Sequence, residues 1–291
     1  MPRLCRAGAV SIGPGQPLAI IAGPCVLESL ELGLAIGRAV QEQCARHGLP
    51  YIFKASFDKA NRTSINSARG PGLEQGLAWL RTIRERLGVP ITTDIHEPAQ
   101  AEPVARSVEL IQIPAFLCRQ TDLLVAAGKA AAAHGRAVNV KKGQFVSPEE
   151  MRGPIDKLAQ AGCTNVMLTE RGTFFGYGRL VNDFAGLAEM METEHAGPGG
   201  ERGNGSRVPV CFDCTHSTQR PGRGADGKTT GGRADLAPTL ARAAIAAGVH
   251  ALFLECHPDP RSALSDSATM LPLDQVPTLL RDAAAIRAAL R

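Results

Sequence analysis

The chain alternates eight times between a short apolar run and a longer stretch of helical period, and this recurrence limits the folds open to it. The runs are Leu18–Ala22, Tyr51–Ala55, Pro90–Asp94, Glu109–Ile113, Ala137–Lys141, Asn165–Thr169, Val208–Asp213 and His250–Glu255, and their starts lie on average about 33 residues apart. Between them, Leu30–His47, Gly72–Leu87, Gln120–His134, Pro148–Ala161 and Leu236–Ala247 carry apolar residues with a period near 3.6, as does the final stretch Leu273–Arg291. Strands that are apolar almost throughout are buried on both faces, which is the condition of a parallel sheet covered by helices. Eight such units predict a (β/α)8 (TIM) barrel filling the whole chain. A doubly wound open sheet is the alternative, but no Gly-rich dinucleotide fingerprint follows the first run.

Three segments stand outside the repeat. Residues 1–17, with Gly8, Gly13, Pro14 and Gly15, predict a small hairpin or plug ahead of the first strand. Residues 194–207 hold five glycines and read as a mobile Gly-rich insertion, on the barrel end where catalysis is not expected. Residues 220–234, rich in Gly and Arg, fall on the catalytic side and read as a lid-like loop.

Composition excludes several classes. With 44% hydrophobic and 21% charged residues the chain is neither disordered nor membrane-embedded, and its longest N-terminal apolar run, Leu18–Ala22, is too short for a span or a signal core. A net charge of +4 and 4% aromatic residues suit small anionic substrates better than nucleic acid. The eight cysteines are scattered and mostly lie within apolar runs, so they read as reduced, buried thiols of a cytoplasmic protein. Cys211 and Cys214 form a CxxC, but three residues apart on a strand they face opposite ways and neither chelate nor pair.

A barrel of this kind builds its site from the C-terminal ends of its strands, and here every end supplies a polar or ligand-type side chain: Cys25, Lys54, Asp94, Gln112, Lys141, Arg171, His216 and Glu255. The second run empties into Lys54, Lys59 and Arg62, interleaved with Ser56, Asn61, Thr63 and Ser64, groups suited to phosphate or carboxylate oxygens. Lys54, Lys59, Lys141 and Arg171 predict a pocket for a small, highly charged acid, and Asn61, Arg62, Thr63 and Ser64 a second anion site further out. Cys25, His216, Glu255 and Asp266 combine a thiolate, an imidazole and two carboxylates, a set able to hold a divalent transition ion.

These residues also carry a resemblance. Ile21-Ala-Gly-Pro-Cys-Val-Leu-Glu-Ser29, Lys54-Ala-Ser-Phe-Asp-Lys-Ala-Asn-Arg-Thr63, Thr93-Asp-Ile-His-Glu-Pro98, Gln112-Ile-Pro-Ala-Phe-Leu-Cys-Arg-Gln-Thr121, Asn139-Val-Lys-Lys-Gly-Gln144, Glu170-Arg-Gly-Thr-Phe-Phe-Gly-Tyr177, Phe212-Asp-Cys-Thr-His-Ser217 and Glu255-Cys-His-Pro-Asp-Pro260 resemble, in order, the 3-deoxy-D-manno-octulosonate 8-phosphate synthases. The resemblance implies a homotetrameric barrel that condenses phosphoenolpyruvate with D-arabinose 5-phosphate for lipopolysaccharide synthesis. It implies that Lys54 and Lys59 hold the enolpyruvate carboxylate, and that Gln112, Lys141 and Arg171 hold its phosphate. Asn61, Arg62 and Thr63 would bind the pentose phosphate, helped by Arg119 from a neighbouring subunit, with Gln219 among the substrate-binding residues. Lys54, Lys59, Asp94 and His216 form the expected catalytic set. That family divides into a metal-free branch with Asn at the position of Cys25 and a metal-requiring branch with Cys. Cys25, His216, Glu255 and Asp266 therefore imply bound Zn, Fe, Mn or Co.

The Gly-rich 194–207 segment, the long basic loop 220–234 and the extra thiol Cys214 beside His216 depart from the family pattern. Three other readings stay open, of which the sialic-acid-type synthases are the more distant enzymes. The related 3-deoxy-arabino-heptulosonate 7-phosphate synthases, which use erythrose 4-phosphate, carry Lys-Pro-Arg-Thr where this chain has Lys59-Ala-Asn-Arg62; a non-catalytic phosphate-binding barrel would not need a complete metal set.

Overall fold

The computed structural model describes residues 3–60, 68–197, 201, 205–224 and 230–290. Eight parallel strands form the predicted barrel: β1 (Ala19–Gly23), β2 (Tyr51–Lys54), β3 (Ile91–Asp94), β4 (Leu110–Ile113), β5 (Ala137–Lys141), β6 (Val166–Glu170), β7 (Val210–Asp213) and β8 (Ala251–His257). Each pairs with the next, and β8 closes the ring by pairing with both β7 and β1, so that Ala251 lies between Cys211 and Ala19. Around them run α1 (Leu30–Arg46), α2 (Leu73–Leu87), α3 (Ala101–Ser107), α4 (Thr121–His134), α5 (Arg152–Gln160), α6 (Phe184–Met191), α7 (Ala237–Ala246) and α8 (Val276–Ala289). Helix α1 shows how the period becomes structure: Ser29 caps its N-terminus by accepting the Leu32 N–H at 3.1 Å. Its buried positions Gly33, Ile36, Gly37, Val40 and Cys44 then recur every three or four residues against the barrel.

The outward side chains of the strands merge with the helices into one apolar layer, whereas the inward ones form a second, smaller cluster. In that cluster Ile21, Ile52, Leu110, Met167, Cys211 and Phe253 meet Ala7, Val10 and Ile12 from an N-terminal hairpin, Cys5–Ala7 paired antiparallel with Val10–Ile12. The expected plug thus seals the N-terminal end of the barrel. Because side chains alternate along a strand, the inward positions beyond this apolar layer, two or four residues on, include Lys54, Gln112, Lys141, Asp213 and Glu255. The barrel is therefore dry and apolar at one end and polar at the other.

Residues 198–200 and 202–204 of the Gly-rich segment lie outside the described residues; at its ends Glu194 pairs antiparallel with Arg207, the His195 N–H donates to the Ser206 carbonyl at 2.8 Å, and His195 and Ala196 are buried. Ala196, the lone apolar residue of the segment, anchors it to the outer core. Cys214, read as an extra thiol near the metal set, instead faces that outer core and is fully buried, while Cys211 faces inward. Among the described residues no helix is long and apolar enough to cross a membrane.

Candidate active site

The polar end of the barrel opens into a cavity of about 820 Å³ lined by Lys54, Lys59, Asp94, Gln112, Lys141, Arg171, His216, Gln219, Glu255 and Asp266. Beneath two of its lysines lies the fully buried ring of Phe253. The Lys141 ammonium sits 3.6 Å from that ring's centroid and the Lys54 ammonium 5.6 Å, so both cations rest on a negative π face in a desolvated setting. Lys141 Nζ donates to Asp213 Oδ2 at 2.6 Å, and Lys54 Nζ to the Cys25 carbonyl at 2.9 Å and to Glu255. Gly23 allows this arrangement, since a β-carbon there would stand 2.0 Å from the Lys54 carbonyl. Lys59 donates to Ser56 Oγ at 3.0 Å; burial works against its charge, but Cys25, Glu255, Asp94 and Asp266 raise its pKa well above the ordinary lysine range.

Several buried polar atoms have no hydrogen-bond partner among the described residues: Arg171 Nη1, Gln112 Oε1, Asp94 Oδ1 and Glu255 Oε2. Leaving such groups unpaired is expensive, and unpaired polar atoms converging on one cavity mark a place for a ligand. Arg171 is held at its other terminal nitrogen, Nη2, by Gln219 Oε1 at 2.5 Å, which leaves Nη1 facing the cavity region beside Lys141 and Gln112. Burial lowers the pKa of its guanidinium, opposed by Asp213, Asp266 and Glu170. Asp94 also lines the cavity, and its carboxylate accepts from His96 Nε2 at 2.9 Å. Burial acts against its charge, yet the bond to His96 and the field of His96 and Lys59 keep Asp94 well below the usual carboxylate range.

Three of the four expected metal residues meet, and His216 stands beside them. Ligand atoms of Cys25, Glu255 and Asp266 lie within 4.8 Å of one another, with Cys25 Sγ 3.0 Å from Asp266 Oδ2. His216 Nε2 faces the same point, 3.6 Å from Glu255 Oε2 and 3.8 Å from Asp266 Oδ2. Burial, then Asp266 and Glu255, push the Cys25 thiol well up, so the proton stays on sulfur unless a cation displaces it. Burial likewise opposes the charge on Glu255, but Lys54, His216 and Lys59 hold it down to about 2. Asp266 adopts a left-handed φ of 49°, uncommon outside glycine but tolerated by Asp, and its carbonyl accepts the N–H groups of Thr269 at 3.0 Å and Met270 at 3.2 Å. That turn aims the carboxylate at Cys25. One thiol, one imidazole and two carboxylates, one of them with a buried unpaired oxygen, fit a divalent transition ion.

Not every expected residue falls in this cavity. Asn61, Arg62 and Thr63 lie outside the described residues. Arg119 is absent from the cavity of its own chain; its side chain is 65% exposed and ion-pairs with Glu150 at 3.6 Å. The loop 220–234 begins and ends at the rim, where Gln219–Arg220 pairs with Gly231–Gly232 and Pro221 and Thr230 line the cavity.

Three residues escaped the sequence reading. Asp213 lies at the last inward position of β7, but the reading took His216, three residues on, as that strand's end. The period-2 alternation from Cys211 was the available signal. Phe253 looked like ordinary core. Glu170 accepts the N–H groups of Arg171 at 2.8 Å and Gly172 at 2.6 Å, bonds that form only once the chain turns after β6.

A family model described as the DAHP synthetase I family matches residues 4–288. The chain is 50% identical over 281 residues to a protein of Cyanothece sp. named 2-dehydro-3-deoxyphosphooctonate aldolase, with 97% of this chain and 96% of that one covered. Proteins of the same name from Nitratidesulfovibrio vulgaris and Desulfotalea psychrophila are 52% and 51% identical, covering 92% and 96% of this chain and 91% and 93% of theirs.

Proposed function

Because the chain belongs to the DAHP synthetase I family, we propose that it condenses phosphoenolpyruvate with D-arabinose 5-phosphate and water, giving 3-deoxy-D-manno-octulosonate 8-phosphate and inorganic phosphate for lipopolysaccharide synthesis. The relatives named 2-dehydro-3-deoxyphosphooctonate aldolase support this choice of sugar within the family. The observation that carries the reading is the buried, unpaired Arg171 Nη1 in a cavity that Lys141, Gln112, Lys54 and Lys59 also line. One cation pair suits the phosphate of phosphoenolpyruvate and the other its carboxylate.

In the reaction C3 of the enol attacks the sugar aldehyde, water adds to C2, and the C2–O bond to phosphate breaks. Positive charge develops at C2 between two anionic groups, so holding both rigidly is the main task of the protein. Lys141, pinned between Asp213 and the Phe253 ring, and Arg171, fixed by Gln219, are already oriented for it. Lys59, kept charged by the surrounding carboxylates, would hold the enolpyruvate carboxylate together with Lys54. Asp94, with one oxygen on His96 and the other unpaired, stays ionised and offers a hydrogen-bond acceptor to a substrate hydroxyl. Asn61, Arg62 and Thr63 would take the sugar phosphate, with Arg119 reaching it from a neighbouring subunit of a homotetramer.

Cys25, His216, Glu255 and Asp266 would hold a divalent Zn, Fe, Mn or Co ion, which supplies Lewis acidity toward water or the aldehyde oxygen. His216 then acts as a ligand through Nε2 rather than as a free acid or base, since its Nδ1 is committed to Asp213 at 2.7 Å. Substrates of this kind, phosphorylated and charged, would be met in the cytoplasm. The test is a product analysis: with phosphoenolpyruvate and arabinose 5-phosphate, mass spectrometry should find an eight-carbon keto-acid phosphate and an equal amount of free phosphate. Exhaustive chelation should stop both and added Mn or Co restore them. Phosphate release without the eight-carbon product contradicts the reading.

A further inference from the structure

We propose that Asp213 is a positioning residue that ties the lysine holding the substrate phosphate to the histidine holding the metal. The inference rests on the functional reading above and adds a residue to it. Asp213 is fully buried, and its two oxygens divide their work. Oδ2 lies 2.6 Å from Lys141 Nζ and 2.7 Å from His216 Nδ1. Oδ1 accepts the N–H of Thr215 at 3.1 Å, the N–H of His216 at 2.9 Å and the Thr215 hydroxyl at 3.1 Å.

The consequences are geometric. A carboxylate oxygen can only accept, so Asp213 requires the hydrogen of His216 on Nδ1 and leaves Nε2 to face Glu255 and Asp266. The same oxygen holds Lys141 over the Phe253 ring, from which Lys141 reaches the region of Arg171 and Gln112. The Oδ1 bonds fix the carboxylate to the turn after β7, so it cannot swing to serve one partner at the other's expense. Thr215 extends the tie, its hydroxyl accepting the Glu255 N–H at 3.2 Å. Phosphate pocket and metal set thus share one buried acceptor.

Asp213→Asn keeps the shape but replaces one acceptor by a donor. If its amide oxygen faces the two backbone N–H groups, its NH2 confronts both the Lys141 ammonium and the His216 N–H. If it flips, the backbone donors are left unmet. Cobalt titration of the purified variant, read by thiolate-to-cobalt absorption, should show affinity lowered by about 10 to 100-fold, the scale reported for partners behind metal-bound histidines. Calorimetric titration of the chelated variant with phosphoenolpyruvate should show binding weakened by about tenfold or more, while the KM for arabinose 5-phosphate stays within about twofold of wild type. Ile12→Ala, which loosens the plug at the far end of the barrel, serves as the control for lost stability alone and should leave cobalt affinity unchanged. Cobalt and phosphoenolpyruvate affinities both near wild type overturn the proposal, and so does a loss confined to one of them. Should Asp213→Asn not fold, 15N spectra of the metal-loaded wild type decide: a His216 Nδ1 that carries its hydrogen upholds the tie, and one that lacks it refutes it. The cobalt titration and the spectra involve no sugar, so a wrong substrate assignment would leave them readable.

Discussion

Lys54→Met probes the electrostatic core of the site. Lys54 is 1% exposed and donates to Glu255, which is itself fully buried. Methionine has a similar length, so the change removes a charge without opening a large cavity. Breaking a buried pair by removing one partner typically costs about 3 to 5 kcal/mol. Here His216 remains 3.6 Å from the other Glu255 oxygen and Lys59 adds to the field, so the low end, about 3 kcal/mol, is expected. The sign with pH follows from linkage. In the wild type Glu255 is held down to about 2, below its ordinary 4.5, so its contribution is present above pH 4.5 and is lost as pH falls through 2. Without Lys54 its folded pKa rises, so the deficit should be full at pH 7.5 and shrink at acid pH as the mutant's carboxylate takes up a proton. Urea unfolding of chelated wild type and variant at several pH values measures this. The double variant Lys54→Met with Glu255→Gln should regain most of the loss. A deficit below about 1 kcal/mol at pH 7.5, or one independent of pH, would refute the claim that this pair is held against a real desolvation cost.

Other consequences are more local. Arg171→Ala should lower kcat/KM for phosphoenolpyruvate by roughly 10² to 10³, as loss of one donor in a desolvated anion site does; steady-state kinetics at saturating sugar phosphate measure it. Cys25→Ser removes the softest donor of the metal set and should weaken cobalt binding by at least about tenfold, with loss of the thiolate absorption band. Arg119→Ala should raise the KM for arabinose 5-phosphate and leave that for phosphoenolpyruvate nearly unchanged, because Arg119 lies outside its own chain's cavity. Ile12→Ala should cost about 2 to 5 kcal/mol in urea unfolding without moving either KM, the residue being fully buried in the plug.

The barrel was legible because its strands are buried on both faces, which writes each of them as an apolar run whose end can be read from the sequence. Lys54, Gln112, Lys141 and Glu255 were found for the same reason: each follows an inward apolar residue at a spacing of two or four. The helices α3 and α6 were harder, being seven and eight residues long with Pro103 and Gly186 inside them. Asp213 was missed because the nearby His216 drew the strand end outward, and Phe253 because a cation resting on a ring is a property of the closed barrel rather than of any run. The glycines of the 194–207 segment say nothing of the ladder that Glu194, His195, Ser206 and Arg207 form at its ends. The approach of Asp266 to Cys25 and Glu255 required the turn at Asp266, a backbone feature that composition does not record.

The central claim, that this cavity joins phosphoenolpyruvate to a five-carbon sugar phosphate, is tested most directly by competition. Purified, metal-loaded protein is given phosphoenolpyruvate with equal concentrations of arabinose 5-phosphate and erythrose 4-phosphate, and the two products are counted by mass. A site built to hydrogen-bond a sugar hydroxyl rejects the analogue that leaves it unpaired, so the eight-carbon product should exceed the seven-carbon one by about a hundredfold or more. Equal yields, or a predominance of the seven-carbon product, would contradict the account.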